Sequence, residues 1–338
     1  MEKPTSRAAP TLEMVASLAG VSRSTVSRVV NASPRVTADA IEAVNAAIDE
    51  LGYVPNRAAR SLASRRTFTI ALVIPENTAK FFSDPYFASV IQGAAVHLAS
   101  TDYTLTLLIA SETDPEKTRR YLQGGNVDGA LILSHHRDDR SYVKLAGSLP
   151  VVFGGRPMSL EGPDRYIVDV DNLAAATVAT QYLLDHGRTR IATIAGPQNM
   201  AAGIDRVEGW RRTLEAAGHP ATMIAEGDFT PQGGAAAMES LLSAGYDFDA
   251  VFVASAQMAA GAMGVLAKHG KMVPGDVGIV TMDNDFYATS ATPPLTTIEQ
   301  PTITQGAKLA EVLVRLINGE DVEHTTLMPT HLIERESV

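Results

Sequence analysis

The chain shows two kinds of hydrophobic periodicity, and the change between them lies near residue 67. From residue 11 to residue 51 the apolar positions recur at helical spacing, and no run reads as a strand. From residue 67 onward, short apolar runs alternate with amphipathic segments. This alternation is typical of βαβ units, whose parallel strands are covered by helices on both faces. The pattern therefore predicts a small all-α head followed by a large α/β body.

In the body, the pattern predicts strands and helices in regular succession. The predicted strands are 68–74, 103–109, 127–133, 151–153, 191–195, 250–254 and 277–282. The predicted helices lie near 85–100, 115–124, 172–186, 204–217, 232–244, 257–269 and 303–317. Because so many units exceed one comfortable sheet, we expect two doubly wound parallel-sheet subdomains. The first would comprise about 67–168 plus 299–324, and the second about 169–298 plus 325–338.

The head is predicted to contain three helices, which span residues 12–19, 23–30 and 37–51. Thr11 and Ser22 can cap the first two helices, and Gly20 follows the first helix where a left-handed residue is favoured. The positions predicted to face inward on the first and third helices are Leu12, Val15, Leu18, Ala19, Ile41, Val44, Ile48 and Leu51. In the second helix the buried stripe is Val26, Val29 and Val30, so the opposite face is small and polar.

Helix, glycine turn and a second helix with a polar outer face form a helix-turn-helix, whose second helix enters the major groove of DNA. Arg suits guanine, Asn suits adenine, and Ser can serve either base. The head residues predicted to contact DNA are Thr11, Ser22, Arg23, Ser24, Thr25, Ser27, Arg28 and Asn31. By spacing alone, a three-helix interaction domain with a solvated polar face is an alternative.

The net charge of the whole chain argues against a nucleic-acid partner, but the charge of its first segment argues for one. The 338 residues carry a net charge of −10 and no cysteine. The missing cysteine excludes disulfides, thiolate metal sites and a cysteine nucleophile. Residues 1–66 hold nine basic and six acidic side chains, a charge of +3, which leaves −13 for the rest. The charge distribution therefore agrees with a basic DNA-binding head on an acidic body.

Signals for export, membrane insertion and catalysis are not found in the sequence. The N-terminal residues contain no apolar signal segment, and no run of about 18 apolar residues could span a membrane. Nucleotide-binding, nucleophile-elbow and HExxH motifs are missing as well. His135 and His136, beside Asp138 and Asp139, are interpreted as a polar loop because adjacent histidines cannot share one helix face. We expect a cytoplasmic protein, nucleoid-associated when bound to DNA, that is not an enzyme and uses no cofactor or metal.

Two stretches of the head carry a specific resemblance. Residues 19–31 read AGVSRSTVSRVVN and residues 52–62 read GYVPNRAARSL. Both resemble the DNA-binding head of the LacI/GalR family of bacterial transcriptional regulators, although Met14 stands where the family usually has Asp. The resemblance implies a helix-turn-helix head over 1–54, a hinge helix over 55–66, and an effector-binding and dimerisation core over 67–338. It also implies a periplasmic-binding-protein-like fold for that core.

The hinge is the second DNA-binding element that the resemblance implies. Asn56 is a good N-cap, but the helix after it is too short to be stable alone, so something must pack against it. In the family, paired hinge helices enter the minor groove and insert a leucine between base pairs, which implies this role for Leu62. Arg57 and Arg60 would contact phosphates or groove edges. The alternative for Leu62 is a linker leucine that packs on the body.

The effector site is expected in the cleft between the two subdomains, at the carboxyl ends of the strands. The resemblance implies that Arg206 and Asp283 hold ligand hydroxyls or a carboxylate, and that Tyr86 or Phe87 lines the ring face. The alternatives are a surface ion pair for Arg206, a strand-end cap for Asp283, and core positions for the two aromatic residues. Ser255, followed by Ala256, stands where the family commonly has Asn-Asp, which weakens the inference to any particular sugar.

Together these features predict a homodimeric, ligand-responsive transcriptional regulator, and specifically a repressor. Its predicted partners are a palindromic double-stranded operator and a small polar metabolite, for which a sugar or sugar derivative is favoured; no membrane is involved. The alternative is a solute-binding protein of the same core fold. That alternative leaves residues 11–62 unexplained.

Overall fold

The structure, a computed structural model, describes residues 10–30, 35–54, 66–109, 115–137, 144–158 and 165–338. These residues divide into two compact units, one within 1–67 and the other within 68–338. The division lies where the hydrophobic pattern of the sequence changes. Apart from Arg66, the predicted hinge lies outside the described residues.

The first unit is the predicted helical head. It contains α1 (Leu12–Ala19), α2 (Arg23–Val30) and α3 (Ala38–Leu51). Thr11 Oγ1 accepts a hydrogen bond from the Met14 amide at 3.3 Å, and Ser22 Oγ accepts one from the Thr25 amide at 3.1 Å. Gly20 ends α1 with φ of 66°. The caps and the glycine turn therefore stand where the sequence predicts them.

The core of the head is small. Val15, Val26 and Val44 are fully buried, and Tyr53 closes the cluster. Leu18 and Ile41, which we predicted to face inward, are 46% and 39% exposed. Three short helices cannot cover the whole width of each apolar stripe, because a small domain buries a small fraction of its surface.

The second unit alternates strands and helices. Up to residue 170 it contains β1 (Thr69–Ile74), α4 (Thr78–Ser83), α5 (Pro85–Leu98), β2 (Thr104–Ile109), α6 (Pro115–Gln123), β3 (Gly129–Leu133), β4 (Val151–Gly154) and β5 (Tyr166–Val170). There follow α7 (Asn172–Asp185), β6 (Ile191–Ala195), α8 (Ala201–Ala216), β7 (Ile224–Glu226), α9 (Pro231–Ser243), β8 (Ala250–Val253), α10 (Ala256–Lys268), β9 (Gly278–Met282), α11 (Phe286–Thr289) and β10 (Thr296–Glu299). The last elements are α12 (Thr302–Ile317), β11 (Thr325–Met328) and β12 (His331–Ile333).

These elements form two lobes, each built on a six-stranded sheet. The sheet of the first lobe has the order β11-β5-β4-β3-β1-β2, and all its neighbouring strands are parallel. The sheet of the second lobe has the order β12-β10-β9-β8-β6-β7, in which only β12 runs antiparallel to its neighbour. The expected pair of doubly wound α/β subdomains is therefore confirmed.

The chain passes between the lobes three times, after β5, after β10 and after β11. The first two passages lie within a few residues of the predicted limits at 168 and 299. The third prediction, which assigned residues 325–338 to the second lobe, is wrong for 325–328. Thr325 pairs with Ile167, so β11 is the edge strand of the first sheet. Because β11 alternates exposed and half-buried positions, it lacks the continuous apolar run of the inner strands.

Close helix packing in the first lobe holds the start of α5 in place. Gly93 in α5 and Gly306 in α12 face each other's backbone. A Cβ on Gly93 would overlap the Ile303 carbonyl oxygen, and a Cβ on Gly306 would overlap the carbonyl of Val90. Only glycine permits this approach, which fixes α5 against α12.

Candidate functional site

The outer face of α2 consists of Arg23, Ser24, Ser27 and Arg28. Arg23, Ser24 and Arg28 are exposed, while Ser27 is half-buried, as is the neighbouring Thr25. Val26 is fully buried on the opposite side of the helix. The described part of α2 therefore presents short polar and long basic side chains outward, as the sequence predicts. Asn31 lies outside the described residues, as do Asn56, Arg57, Arg60 and Leu62.

Some of the side chains predicted to contact DNA interact with one another. Arg23 Nη1 lies 3.1 Å from Glu13 Oε1, and both side chains are largely exposed. The Ser22 hydroxyl lies 2.7 Å from that of Ser24 and 2.8 Å from that of Thr25. Ser22 also accepts the capping hydrogen bond at the start of α2, so its first role is structural. An exposed pair such as Arg23–Glu13 contributes about 0–1 kcal/mol and is easily exchanged for another partner.

A cleft of about 800 Å³ of empty space separates the two lobes of the second unit. The strands β1, β3, β4 and β5 of the first lobe and β6, β8 and β9 of the second end at or near it. All five predicted effector-site residues line it, namely Tyr86, Phe87, Arg206, Ser255 and Asp283. Carboxyl ends of parallel strands are the usual location of ligand sites in such sheets.

Arg206 is buried in the cleft, with 5% of its surface exposed, so a surface ion pair is not its role. Its Nε donates to Asn172 Oδ1 at 2.9 Å, and Nη1 donates to the Ala254 carbonyl at 2.6 Å. Burial lowers the pKa of Arg206, while the nearby carboxylates of Asp283 and Asp169 act in the opposite direction. Since guanidinium groups stay protonated in proteins, Arg206 is a rigid, oriented cation.

Asp283 follows β9 and takes part in a network of polar contacts. Its Oδ1 accepts from Gln300 Nε2 at 2.5 Å, and the Ala256 amide also donates to its carboxyl group. Burial raises the pKa of Asp283, which Arg206 and Gln300 counteract. A strand-end carboxylate held in this way can accept hydrogen bonds from ligand hydroxyls.

Asp84 of the first lobe and Gln257 of the second both line the cleft. Asp84 caps α5, where its Oδ1 accepts from the Tyr86 amide at 2.9 Å, and its carboxyl group lies near the Gln257 side chain. Burial, with a smaller contribution from the charge of Asp283, raises the pKa of Asp84 to about 7, against the opposing hydrogen bond from the Tyr86 amide. Near neutral pH this carboxyl is therefore poised between its charged and neutral forms.

Aromatic rings form the apolar part of the cleft. Tyr86 and Phe87 come from the first turn of α5, and their ring centroids are 5.6 Å apart. Phe87 also belongs to the hydrophobic core of the first lobe, so its core and cleft interpretations both hold. Phe229 supplies a third ring, whose centroid is 5.8 Å from Arg206 Cζ. Such faces can pack against the C–H face of a sugar ring.

Unusual backbone geometry is concentrated at the cleft. Four non-glycine residues of the described chain have positive φ, and three of them, Ser134, Phe229 and Asp283, line the cleft. Left-handed backbone costs about 1–3 kcal/mol for such residues and tends to occur at functional sites. Here it sets the direction in which a serine, an aromatic ring and a carboxylate leave the strand ends.

Two polar bridges join the lobes beside the cleft. Arg156, after β4, places Nη2 2.7 Å and 2.6 Å from the two carboxylate oxygens of Asp205 in α8. The second bridge is His136. Its Nε2 lies 3.1 Å from Glu76 Oε1 in the first lobe, and its Nδ1 lies 3.0 Å from Asn199 Oδ1 in the second. The hydrogen bond to Glu76 raises the pKa of His136.

Sequence reasoning missed a large share of the cleft. The further polar residues that line it are Lys80, Asp84, Ser134, His135, Arg156, Asp169, Asn172, Gln257 and Gln300. Most of them follow the end of a strand, which is the signal that could have found them. His135 and His136 lie in the loop after β3, as the sequence predicts, but His135 is buried rather than solvated. In the described chain, no set of three or more His, Asp or Glu side chains could hold a metal ion, and no helix is long and apolar enough to cross a membrane.

Both units match known protein families. Residues 11–56 match the profile of bacterial regulatory proteins of the lacI family, and residues 180–338 match that of a periplasmic binding protein-like domain. The HTH-type transcriptional regulator CelR of Thermobifida fusca is 47% identical over 98% of this chain and 99% of its own. The ribose operon repressor of Escherichia coli K12 is 35% identical over 97% of this chain and 99% of its own.

A solved structure of a CelR–cellobiose complex superposes with a TM-score of 0.77 at 45% identity, over 97% of this chain and 100% of the other. These full-length similarities include the head, so the alternative of a solute-binding protein is not favoured. The relatives are regulators rather than enzymes. The chain belongs to the LacI family of bacterial regulatory proteins and is a DNA-binding transcriptional regulator controlled by a small molecule.

Proposed function

We propose that this protein is a homodimeric repressor that leaves its operator when a neutral, β-linked glucose disaccharide of the cellobiose type enters the cleft. The observation that carries the proposal is the full-length similarity to CelR, of which a cellobiose complex is known. A two-fold symmetric dimer pairs two heads with the two halves of a palindromic site. The protein would act in the cytoplasm, on the nucleoid when it is bound to its operator.

The outer face of α2 is the element that we propose to read the operator. Arg23 and Arg28 have the reach for guanine edges, while Ser24 and Ser27 suit either base. Thr11, Ser22 and Thr25 stand at the helix starts, where amides and hydroxyls can contact phosphates. Asn31 at the end of the helix, and Asn56, Arg57, Arg60 and Leu62 in the hinge, complete the proposed contacts.

The chemistry of the cleft supports a polyhydroxylated, uncharged ligand. Arg206 offers donors, Asp283 and Asp169 offer acceptors, and Tyr86 and Phe229 offer ring faces. Alternating donors and acceptors around aromatic surfaces match a sugar, which has hydroxyls at its rim and C–H groups on its faces. The cleft is lined by both lobes and combines apolar ring faces with a few convergent polar groups, which is typical of small-molecule sites.

Effector and operator binding are proposed to be coupled through the arrangement of the two lobes. A ligand that touches both lobes favours the arrangement in which both sets of contacts form. The lobes would shift against each other, the hinge helices would lose their packing, and the operator would be released. Such coupling is typically worth about 1–3 kcal/mol, a change of about 5- to 150-fold in operator affinity.

The test is an operator titration in a gel-shift assay, with an operator selected from random DNA by the purified protein. We expect a dimer by light scattering and a loss of operator affinity of at least about fivefold when cellobiose is added. Maltose, which differs in the stereochemistry of its linkage, serves as the control sugar. Unchanged operator affinity in saturating cellobiose would contradict the proposed effector, and increased affinity would make it a corepressor.

A further inference from the structure

The site of interest is His135, which lies two residues beyond the end of β3. It lines the cleft, and 6% of its surface is exposed. Its ring packs edge-on against Phe153, with 5.4 Å between centroids. Neither Nδ1 nor Nε2 has a hydrogen-bond partner among the described residues. A polar side chain buried in this way is rare in folded proteins and calls for a specific explanation.

The neighbouring His136 shows that a histidine ring in this loop can find hydrogen-bond partners. His136 uses both ring nitrogens, one toward Glu76 and one toward Asn199 of the other lobe. The two adjacent imidazoles therefore differ: His136 joins the lobes, whereas His135 lines the cleft and leaves both ring nitrogens buried without a partner among the described residues.

The protonation state of His135 limits what it can bind. Burial lowers its pKa to about 4, and the nearby Arg156 backbone, which lies outside hydrogen-bonding geometry, counteracts this only in part. The ring is therefore neutral at physiological pH, with one N–H donor and one acceptor nitrogen. A sugar hydroxyl can donate to the one nitrogen or accept from the other. The neutral ring offers no charge to an anionic group, which would also meet the carboxyl groups of Asp84, Asp169 and Asp283.

We infer that His135 is a specificity-determining residue of the effector site, and that it binds a hydroxyl group of an uncharged ligand. The inference rests on the proposed function of the cleft as the effector site. Without ligand, the buried unpaired imidazole costs stability. With ligand, the same group contributes affinity, because leaving it unpaired beside a ligand that lacks the hydroxyl costs about 1–3 kcal/mol, or about ten- to a hundredfold in Kd.

This dual role predicts opposite effects of one substitution, which a merely structural histidine would not produce. His135→Leu removes the unpaired group, so the ligand-free protein should unfold at an equal or higher temperature than wild type. The same variant should bind cellobiose about ten- to a hundredfold more weakly in calorimetric titrations. His135→Gln, which keeps a donor and an acceptor, should recover most of that affinity. His331→Leu, at an exposed position in β12, is the control and should change neither quantity.

A series of monodeoxy cellobioses identifies the hydroxyl. One analogue should bind wild type about tenfold or more weakly than cellobiose, yet bind the leucine variant as well as cellobiose does. Equal affinity of wild type and His135→Leu for cellobiose would overturn the inference. A lower unfolding temperature of ligand-free His135→Leu would also overturn it, because the ring would then have a structural partner.

Failure of the proposed effector gives a different result. If wild type does not bind cellobiose, the assignment of the sugar class is wrong, and the unfolding temperatures of the ligand-free proteins decide the role of His135. An equal or higher value for His135→Leu supports an unused polar group in the lining of the cleft, and a lower value rejects it.

Discussion

The outer face of α2 and the cleft between the lobes are both polar, but they handle charge in opposite ways. Arg23 on the outer face of α2 has a side chain that is 73% exposed, and its ion pair with Glu13 is weak and replaceable. Arg206 in the cleft is 5% exposed and is held by Asn172 and the Ala254 carbonyl. One surface keeps its charges solvated until a partner arrives, and the other orients them in advance.

The difference fits the partner that we propose for each surface, DNA for the outer face of α2 and a neutral sugar for the cleft. DNA is a polyanion, so exposed cations attract it over long distances and can rearrange on its surface. A neutral sugar offers no net charge, so its affinity depends on preorganised donors and acceptors that have lost water already. Substitutions should therefore affect one activity and leave the other unchanged.

Arg206→Met is expected to give the largest difference between the effect on sugar binding and the effect on operator binding. Each hydrogen bond from a charged donor is worth about 1.5–3 kcal/mol, so the loss of two such bonds to the ligand should lower the affinity for cellobiose by at least about 100-fold. Operator affinity without sugar should stay within about threefold, since the head is a separate unit. Calorimetry and gel-shift titration measure the two affinities. Arg212→Met, an exposed position on the same helix, is the control, and an equal loss in both variants would refute the role of Arg206.

Arg28→Ala should produce the reverse pattern. Removal of one base-contacting arginine costs about 1–3 kcal/mol, or about ten- to a hundredfold in operator affinity, with relaxed specificity at one base pair. Cellobiose binding should not change. The control is Arg120→Ala in α6, which removes the same positive charge from the other unit. Wild-type operator affinity for Arg28→Ala would show that the outer face of α2 is not the reading surface.

Asp84→Asn tests how much folding stability the buried carboxyl group costs in the cleft. The pKa of Asp84 is about 7 in the folded protein and 3.8 as the reference value, so the folded state binds more protons between about pH 4 and 7. Stability should therefore fall as pH rises through this window, and Asn should remove that fall while keeping the α5 cap. The variant should match wild type near pH 4 and melt higher at pH 7.5, by about 2–4 °C per kcal/mol recovered.

Thermal unfolding at four or five pH values between 4 and 8 measures this difference. Asp171→Asn, which replaces an exposed capping carboxylate at the start of α7, controls for the exchange itself. A constant difference between wild type and Asp84→Asn at all pH values would rule out the titration of Asp84 as its cause.

The smallest effect is expected for Glu13→Gln. The change frees Arg23 from an exposed ion pair and removes one negative charge near the DNA, so operator affinity should rise by about two- to threefold. The gain should shrink at high salt because screening weakens surface electrostatics. Glu42→Gln, exposed on α3, provides the comparison. A loss of affinity for Glu13→Gln would mean that the pair positions Arg23 for binding.

Local signals in the sequence predicted the head well. Thr11 and Ser22 as caps, Gly20 as the left-handed residue and Val26 as the buried residue of α2 all depend on neighbours within a few positions. Leu18 was predicted incorrectly, because helical spacing says which face a residue occupies and not whether another helix covers it.

The body was predictable where its strands are continuous and apolar. Strands such as β3 and β8 are buried at every position, and their runs stand out in the sequence. Three of the four edge strands, β7, β11 and β12, are short, contain exposed positions and carry little hydrophobic signal, whereas the fourth, β2, is longer and more apolar and was predicted. The lobe to which β11 belongs depends on its pairing with β5, a contact between residues far apart in the chain.

The sequence by itself determined the class of each unit and the polar outer face of α2, which depend on local periodicity and on short motifs. The resemblance to the family pointed to Arg206 and Asp283, which line the cleft. Only the tertiary structure decided that His135 lines the cleft with no partner in the described part of the chain, that Asp84 lies near Gln257, and that Arg156 bridges to Asp205. Such facts depend on which strand ends meet and on how much water remains there, and neither is encoded in the spacing of any single segment.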